Sequence, residues 1–237
     1  MEIYKLSSTV GPASPRSAPA ESQPDTIALT ITDIKQAVHN ENRVNVYVNG
    51  KYSFSLDIAQ VVDMGVKIGR VITSEELADF KRASEFGKLY QRALEWVLTR
   101  PHSEKETRDY LYKKVYEKGL DKQYIDSIIA KLKSKHYLDD AKFAAYYVEN
   151  RFVKKGISTK RLKMELSKKG IAKDIIDEVF SQSSRSEEAE IKKIIMRKRA
   201  QYDDEKLIQY LCRQGFDYST SRELAAQSSE TDSQNLE

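Results

Sequence analysis

The spacing of apolar residues along the chain changes character near residue 86. Before that point, three short segments, residues 27–31, 44–48 and 52–56, alternate apolar with other residues. A period of two residues is typical of a strand with one buried face. Asn49-Gly50 separates the second and third segments, and because both residue types tolerate positive φ, a tight hairpin is expected there. The pattern predicts a small antiparallel sheet of about three strands.

Two helices are predicted after this sheet, one over residues 57–64 and one from Thr73 onward. Thr73 and Glu76 fit a capping box, in which each side chain accepts a hydrogen bond from the backbone N–H of the other residue. A sheet this small buries little apolar surface alone, so we expect it to pack on these helices. Residues 26–85 are therefore predicted to form one region of sheet and helix.

From residue 86 to about residue 226, apolar residues recur at intervals of three and four, and part of the segment repeats after 45 residues. Each copy keeps an N-cap residue, two apolar positions, a glycine suited to a helix C-terminus and one more apolar position. The matched positions are Ser158 with Asp203, Leu162 with Leu207, Leu166 with Leu211, Gly170 with Gly215 and Ile171 with Phe216. A weaker copy contains Ser103, Thr107, Leu111 and, after a four-residue insertion, Gly119 and Leu120.

These copies predict a mainly α-helical fold, a tandem array of three small three-helix, helix-turn-helix-like repeats preceded by the small antiparallel β-sheet. The predicted repeats cover residues 88–138, 139–183 and 186–226. Because units of this size bury a low fraction of their surface, we expect neighbours to stack or to lie along a larger partner. The proline-containing segment 1–25 and the polar segment 227–237 are predicted to be disordered.

Composition narrows the class of protein. Hydrophobic residues make up 40% of the chain and charged residues 32%, which is typical of a globular protein. No apolar run approaches the roughly 20 residues that span a bilayer, and the first residues lack the features of a secretory signal. Cys212 is the single cysteine, which excludes a disulfide within the chain. We therefore expect no membrane partner and a cytoplasmic location.

Positive charge is concentrated in the middle of the chain. Residues 88–180 hold 22 Lys and Arg against 14 Asp and Glu, a net charge of +8, although the whole chain carries only +4. Such a segment suits contact with a polyanion, whereas lysine-rich helices can also be no more than solvated faces. Charge alone leaves both interpretations open.

The sequence offers little to a catalytic site. The three histidines, His39, His102 and His136, have no metal-binding spacing, and Cys212 has no neighbouring histidine. Asp139-Asp140 precedes a predicted helix over residues 141–153, and an N-cap followed by a first-turn acid is favoured there over a metal or acid–base pair. We therefore expect no enzyme, no catalytic or metal-binding residue and no cofactor.

Three blocks of sequence carry a resemblance to a known family, the RecX regulatory proteins. They are residues 100–106, residues 136–144 and the pattern from Gly156 to Ile171, and together the likeness covers about residues 88–226. Thr107 departs from the family pattern, which usually has leucine there, and the sheet lies outside the signature. The signature positions, most of which we expect to be structural, are Tyr137, Leu138, Asp139, Asp140, Phe143, Gly156, Leu162, Glu165, Leu166 and Gly170.

The resemblance implies a regulator that binds the RecA recombinase filament on single-stranded DNA. It would lie along the helical groove of the filament and inhibit recombination, ATP turnover and coprotease activity, in DNA repair and the SOS response. A monomer without a cofactor is implied, and weak direct DNA binding stays open. The basic residues that we expect to contact RecA or the DNA backbone are Arg151, Lys154, Lys155, Lys160, Arg161, Lys163, Lys168 and Lys169.

A stand-alone DNA-binding protein is the alternative, because three-helix units with a turn glycine are similar to helix-turn-helix modules. Residues 160–169, however, offer Lys and Glu rather than the Arg, Asn and Gln that read bases. Four aromatic residues accompany the basic ones, and core packing is favoured over base stacking for them, with an exposed exception expected at Tyr146 or Tyr147 because adjacent residues cannot both face one core. They are Tyr137, Tyr146, Tyr147 and Phe152.

Overall fold

The computed structural model describes residues 28–38 and 40–234, with side chains to residue 228. Its contacts divide the chain into two units, one ending at Phe80 and one beginning at Lys81. The fold class is confirmed, since an antiparallel sheet precedes three successive groups of three helices. The predicted leader, residues 1–25, lies outside the described residues.

The sheet of the first unit has four antiparallel strands in the order β3-β2-β1-β4. A hairpin joins β2 to β3, and Asn49 and Gly50 have φ values of 49° and 77°, as the two-residue turn requires. The fourth strand was not predicted, because a strand of two residues is too short to show alternation. The strands are β1 Leu29–Ala37, β2 Asn40–Val48, β3 Lys51–Asp57 and β4 Val71–Ile72.

Helices close one face of this sheet. Helix α1, Ile58–Asp63, begins at a capping box in which the Asp57 carboxylate accepts from the Gln60 N–H at 2.7 Å. Helix α2, Ser74–Thr99, begins at the predicted box, where the Thr73 N–H donates to Glu76 at 2.8 Å. The ring of Phe54 from the sheet packs on Phe80 of α2 with their centroids 5.3 Å apart.

The second unit contains the rest of α2 and eight further helices among its described residues. Each group of three has its own hydrophobic cluster, centred on Leu111, Leu166 or Leu207. The first group is α2, α3 Glu104–Glu117 and α4 Gln123–Ser134; the second is α5 Asp140–Asn150, α6 Thr159–Lys168 and α7 Lys173–Gln182; the third is α8 Glu187–Lys198, α9 Asp204–Arg213 and α10 Tyr218–Gln234.

The limits of two helices, α2 and α10, differ from the expected ones. The bounds of the three repeats as units stay a prediction. Helix α2 continues without a break through residues 85–88, where we placed a boundary. Helix α10 extends to Gln234, beyond the predicted limit at 226, because each residue added to an existing helix gains a backbone hydrogen bond. No helix in the part of the chain that the structure describes is long and apolar enough to cross a membrane.

The same joint connects successive helical groups. The Ser103 hydroxyl, at the N-cap of α3, donates to the carbonyl of Lys169 after α6 at 2.9 Å, and Ser158, at the N-cap of α6, donates to Gln214 after α9 at 2.7 Å. Both serines are fully buried. Gly170 follows the first carbonyl at a φ of +85°, and a Cβ there would lie 2.9 Å from the Cβ of Lys105. The repeated serine and glycine of the sequence therefore mark the joints.

Candidate partner-binding clefts

A cleft of about 580 Å³ lies beside the joint between the first and second helical groups. Four of its side chains are cationic and one, Glu165, is a carboxylate, so it has an excess of positive charge. This first cleft is lined by Arg100, Tyr146, Tyr147, Asn150, Arg151, Glu165, Lys168 and Lys169.

Glu165 organises one wall of the first cleft. Its carboxylate accepts from the Arg151 guanidinium at 2.8 Å, from the Tyr147 hydroxyl at 2.6 Å and from Arg161 at 3.4 Å. Burial favours the neutral acid, but the hydrogen bonds from Arg151 and Tyr147 outweigh it and lower the pKa of Glu165. Burial and the bond to this carboxylate raise the pKa of Tyr147 to about 12. Glu165 therefore fixes Arg151 and a neutral Tyr147 in the wall of the cleft, and it also pairs with Arg161, which lies outside the lining of this cleft.

The two lysines of the first cleft differ in how far they are already paired. Lys169 forms an ion pair with Glu106, and its ammonium lies 5.3 Å from the centre of the Tyr147 ring. Lys168 is exposed and forms no ion pair within the described residues. Lys168 is consequently the cation most available to an anion from outside.

A second, smaller cleft of about 150 Å³ lies beside the joint between the second and third groups. Three cations line it, and none of its lining residues is a carboxylate. Its polar and aromatic residues are Phe152, Lys155, Arg161, Arg197, Tyr210 and Gln214.

The two clefts occupy equivalent positions in successive groups. Arg100 and Lys155 each lie three residues before the joint serine, Ser103 or Ser158. The other pairs are residues that stand at the same position counted from the first residue of α6 and of α9, or from the first residue of α5 and of α8. They are Glu165 with Tyr210, Lys169 with Gln214, Tyr147 with Ile194 and Asn150 with Arg197. The chain thus presents one kind of basic cleft twice, and only the first contains an acid.

The loop of residues 151–156 runs between the two clefts and is fastened from α8 and the segment before it. Arg185 donates to the carbonyl of Arg151 at 2.9 Å, and Arg197 donates to that of Lys155 at 2.9 Å. The buried carboxylate of Glu190 accepts from the N–H of Ile157 at 3.0 Å. These bonds satisfy the loop backbone and hold it in one conformation.

The eight predicted contact residues are only partly brought together. Arg151, Lys168 and Lys169 line the first cleft, and Lys155 and Arg161 line the second. The other three predicted residues lie outside both clefts: Lys154 is exposed on the loop, Lys160 packs its stem on Gly215, and Lys163 pairs with Asp177 at 2.8 Å.

Sequence reasoning missed several lining residues. Arg100 stands in a signature block, and its place near the N-cap Ser103 was a usable signal. Arg197 begins the basic run of residues 197–199, which was a usable signal, whereas Tyr210 could have been found only by aligning the third group on the second.

Most signature residues have structural positions. Leu138, Phe143, Leu162 and Leu166 are buried, and Gly156 and Gly170 make close contacts with neighbouring groups. Tyr137 was wrongly expected in the core and is 46% exposed. The reason is local: His136 takes a left-handed conformation, and the Tyr137 N–H donates to the carbonyl of Leu132 at 3.0 Å, so Tyr137 belongs to the turn that ends α4 and not to a buried helix face.

The Asp139-Asp140 pair holds helix ends. Asp139 caps α5 by accepting from Ala141 at 2.9 Å, as predicted. Asp140 accepts from the backbone N–H of Glu104 at 2.8 Å and so joins the start of α3 to the second group. Burial raises the pKa of Asp140. The role of its carboxylate is structural, because it accepts the hydrogen bond from this N–H.

Comparisons with known proteins agree with this architecture. A family model described as the regulatory protein RecX N-terminal domain matches residues 29–73, and one described as RecX, second three-helix domain, matches residues 139–179. The first match corrects our expectation that the sheet lies outside the family pattern. It was missed because the sheet carries none of the polar motifs that mark the helical part.

Whole-chain relatives point the same way. Regulatory protein RecX of Bacillus licheniformis is 30% identical, over 86% of this chain and 78% of that protein. Regulatory protein RecX of Clostridium perfringens (strain 13) is 31% identical, over 79% of this chain and 91% of that protein. A solved structure of regulatory protein RecX, 24% identical, shares the fold with a TM-score of 0.63 over 81% of this chain and 96% of that one. This chain belongs to the RecX family of regulatory proteins.

Proposed function

We propose that the protein binds the RecA recombinase filament on single-stranded DNA, along its helical groove, and inhibits its recombinase, ATPase and coprotease activities. In this proposal it acts in the cytoplasm, in DNA repair and the SOS response, as a monomeric regulator rather than an enzyme. Membership of the RecX family supports the partner.

The observation that carries the proposal is the repetition of a basic cleft at successive joints. A helical filament presents the same surface at regular intervals, so a chain that follows its groove needs equivalent contacts in successive groups. RecA-bound DNA supplies phosphates to such contacts, and an acidic protein face supplies carboxylates. We propose the eight basic residues named above, together with Arg100 and Arg197, as the contacts.

The choice of test variant follows from the ion pairs. Reversing the charge of Arg151 or Arg161 would place a second carboxylate beside that of Glu165 and disturb the fold. Lys154, Lys155 and Lys168 are exposed and form no ion pair within the described residues, so their reversal should leave the helices intact.

The test is RecA's hydrolysis of ATP on single-stranded DNA, titrated with the protein. We expect inhibition well below one protein per RecA, and an increase in the half-inhibiting concentration on the order of tenfold or more for Lys154→Glu, Lys155→Glu, Lys168→Glu. The matched control reverses three exposed lysines outside both clefts, Lys113, Lys135 and Lys192. Equal losses in both variants would refute the proposed contacts. A lack of inhibition by the unmodified protein at excess would refute the function and favour a stand-alone DNA-binding protein.

A further inference from the structure

Phe152 stands out in the loop between the clefts because its backbone is strained. Its φ is +50°, in the left-handed region that side chains other than Gly, Asn and Asp rarely adopt. Such strain persists only where the surroundings determine the conformation, and it concentrates at functional sites. The carbonyl of Phe152 accepts from both Lys155 at 2.9 Å and Gly156 at 3.0 Å, which closes the turn around this residue.

Two cations lie over the Phe152 ring. The Arg151 guanidinium carbon is 3.9 Å from the ring centre, and the Lys155 ammonium is 5.9 Å from it. The ring is only partly buried and lines the second cleft. An aromatic surface flanked by cations is what sequence-independent binding of single-stranded nucleic acid uses, since every base has a face that can stack.

The surrounding charges favour a nucleic acid over an acidic protein surface. Three cations line the second cleft, of which Arg161 pairs with Glu165, and none of the lining residues is a carboxylate. Arg151 begins the loop and lines the first cleft together with Lys168. Carboxylates need cations but gain nothing from a partly exposed ring. A strand that carries a phosphate and a base in each repeat would use both kinds of side chain.

We propose that the loop of residues 151–156 binds single-stranded nucleic acid, with Phe152 stacking on a base while the cations of the two clefts hold the neighbouring phosphates. This site deepens the proposed function and rests on it for the biological source of the strand. The loop is fixed before binding, so little conformational entropy is lost when a strand is bound.

The test compares two fluorescent oligonucleotides of equal charge by anisotropy, using the full chain without RecA. One is oligo-dT of about 20 nucleotides, and the other has the same length with every base removed. We expect the protein to bind oligo-dT about tenfold more tightly than the abasic strand, and Phe152→Leu to abolish that preference. Leucine at this position keeps a Cβ and the same backbone strain, so the folded state should survive. The matched control is Phe180→Leu, which removes a half-buried ring lying 5.3 Å from the Lys163 ammonium and outside both clefts.

The outcomes separate this inference from the proposed function. Equal affinity for both strands, or a preference that survives in Phe152→Leu, would overturn the stacking site whatever RecA does. Weaker inhibition of the RecA ATPase by Phe152→Leu with no change in either affinity would overturn it in favour of a contact between the ring and a protein surface. A preference that depends on Phe152 in a protein that does not inhibit RecA would support the site and refute the proposed function.

Discussion

Substitution of Gly156 by alanine tests how the loop is held against the third helical group. Gly156 has a φ of +75°, and a Cβ there would lie 2.5 Å from the backbone oxygen of Glu190 and 2.7 Å from Cγ1 of Ile194. The left-handed backbone alone costs an alanine about 1–2 kcal/mol. The Glu190 oxygen belongs to helix α8 and cannot move without the helix, so overpacking adds about 1–3 kcal/mol. We expect Gly156→Ala to lower the free energy of unfolding by about 2–5 kcal/mol.

Gly119→Ala is the matched control. Gly119 has a similar φ of +62°, but a Cβ there would have no neighbour within 4 Å. It should therefore lose only the backbone component of about 1–2 kcal/mol. Equilibrium urea unfolding followed by far-ultraviolet circular dichroism measures both losses. If the two variants lose the same amount, the contact between Gly156 and α8 is not tight, and the argument that the loop is rigidly fastened fails.

Two further predictions concern the joint at Ser158 and the fastening of the loop before it. Ser158→Ala removes both a helix cap and the hydrogen bond to Gln214, and we expect it to lower the free energy of unfolding, measured in urea, by about 1–3 kcal/mol. The control Ser186→Ala removes only an exposed cap and should cost about 1 kcal/mol or less. Equal costs would refute the stabilising role of the joint. Glu190 is buried, which raises its pKa, but bonds led by Arg185 outweigh this and lower it. The ionised Glu190 therefore stabilises the folded state above its unfolded pKa of about 4.3, and this stabilisation is lost as the pH falls through the lower folded pKa. Glu190→Gln should consequently make the free energy of unfolding decline less steeply on acidification. An unchanged pH dependence would contradict this prediction.

The sequence predicted the helical part well because the fold places the same residue types at the same steps. The serines cap helix N-termini, the leucines fill the core and Gly170 ends a helix. Because each helix has these same requirements, they appear in the sequence as a regular spacing. The two-residue strand β4 has no such pattern, because it is a strand only through its antiparallel pairing with β1, in which Ile72 lies opposite Leu29. The limit of α10 was missed for a related reason, since nothing in a polar helix end distinguishes it from coil.

The clefts were less predictable because they depend on which cations remain unpaired after folding. Lys163 and Lys168 lie five residues apart in one helix and look alike in sequence, yet Asp177 of another helix pairs with the first and leaves the second available. A charge cluster identifies a region, whereas ion pairs across helices decide which of its members can bind a partner. The partner of Lys169, Glu106, lies 63 positions away, so only the fold shows that this lysine is already paired.

The joint explains how one backbone arrangement yields two clefts of different charge. The serine, the carbonyl and the glycine are fixed by packing, so the backbone around each cleft is repeated. The residues that face the open space are free of that constraint, and Glu165 in the first cleft is replaced by Tyr210 in the second. A carboxylate neutralises part of the first cleft and repels phosphate there, whereas a tyrosine does neither. Contact with a polyanion should therefore depend more on the second cleft and the adjoining loop than on the larger first one.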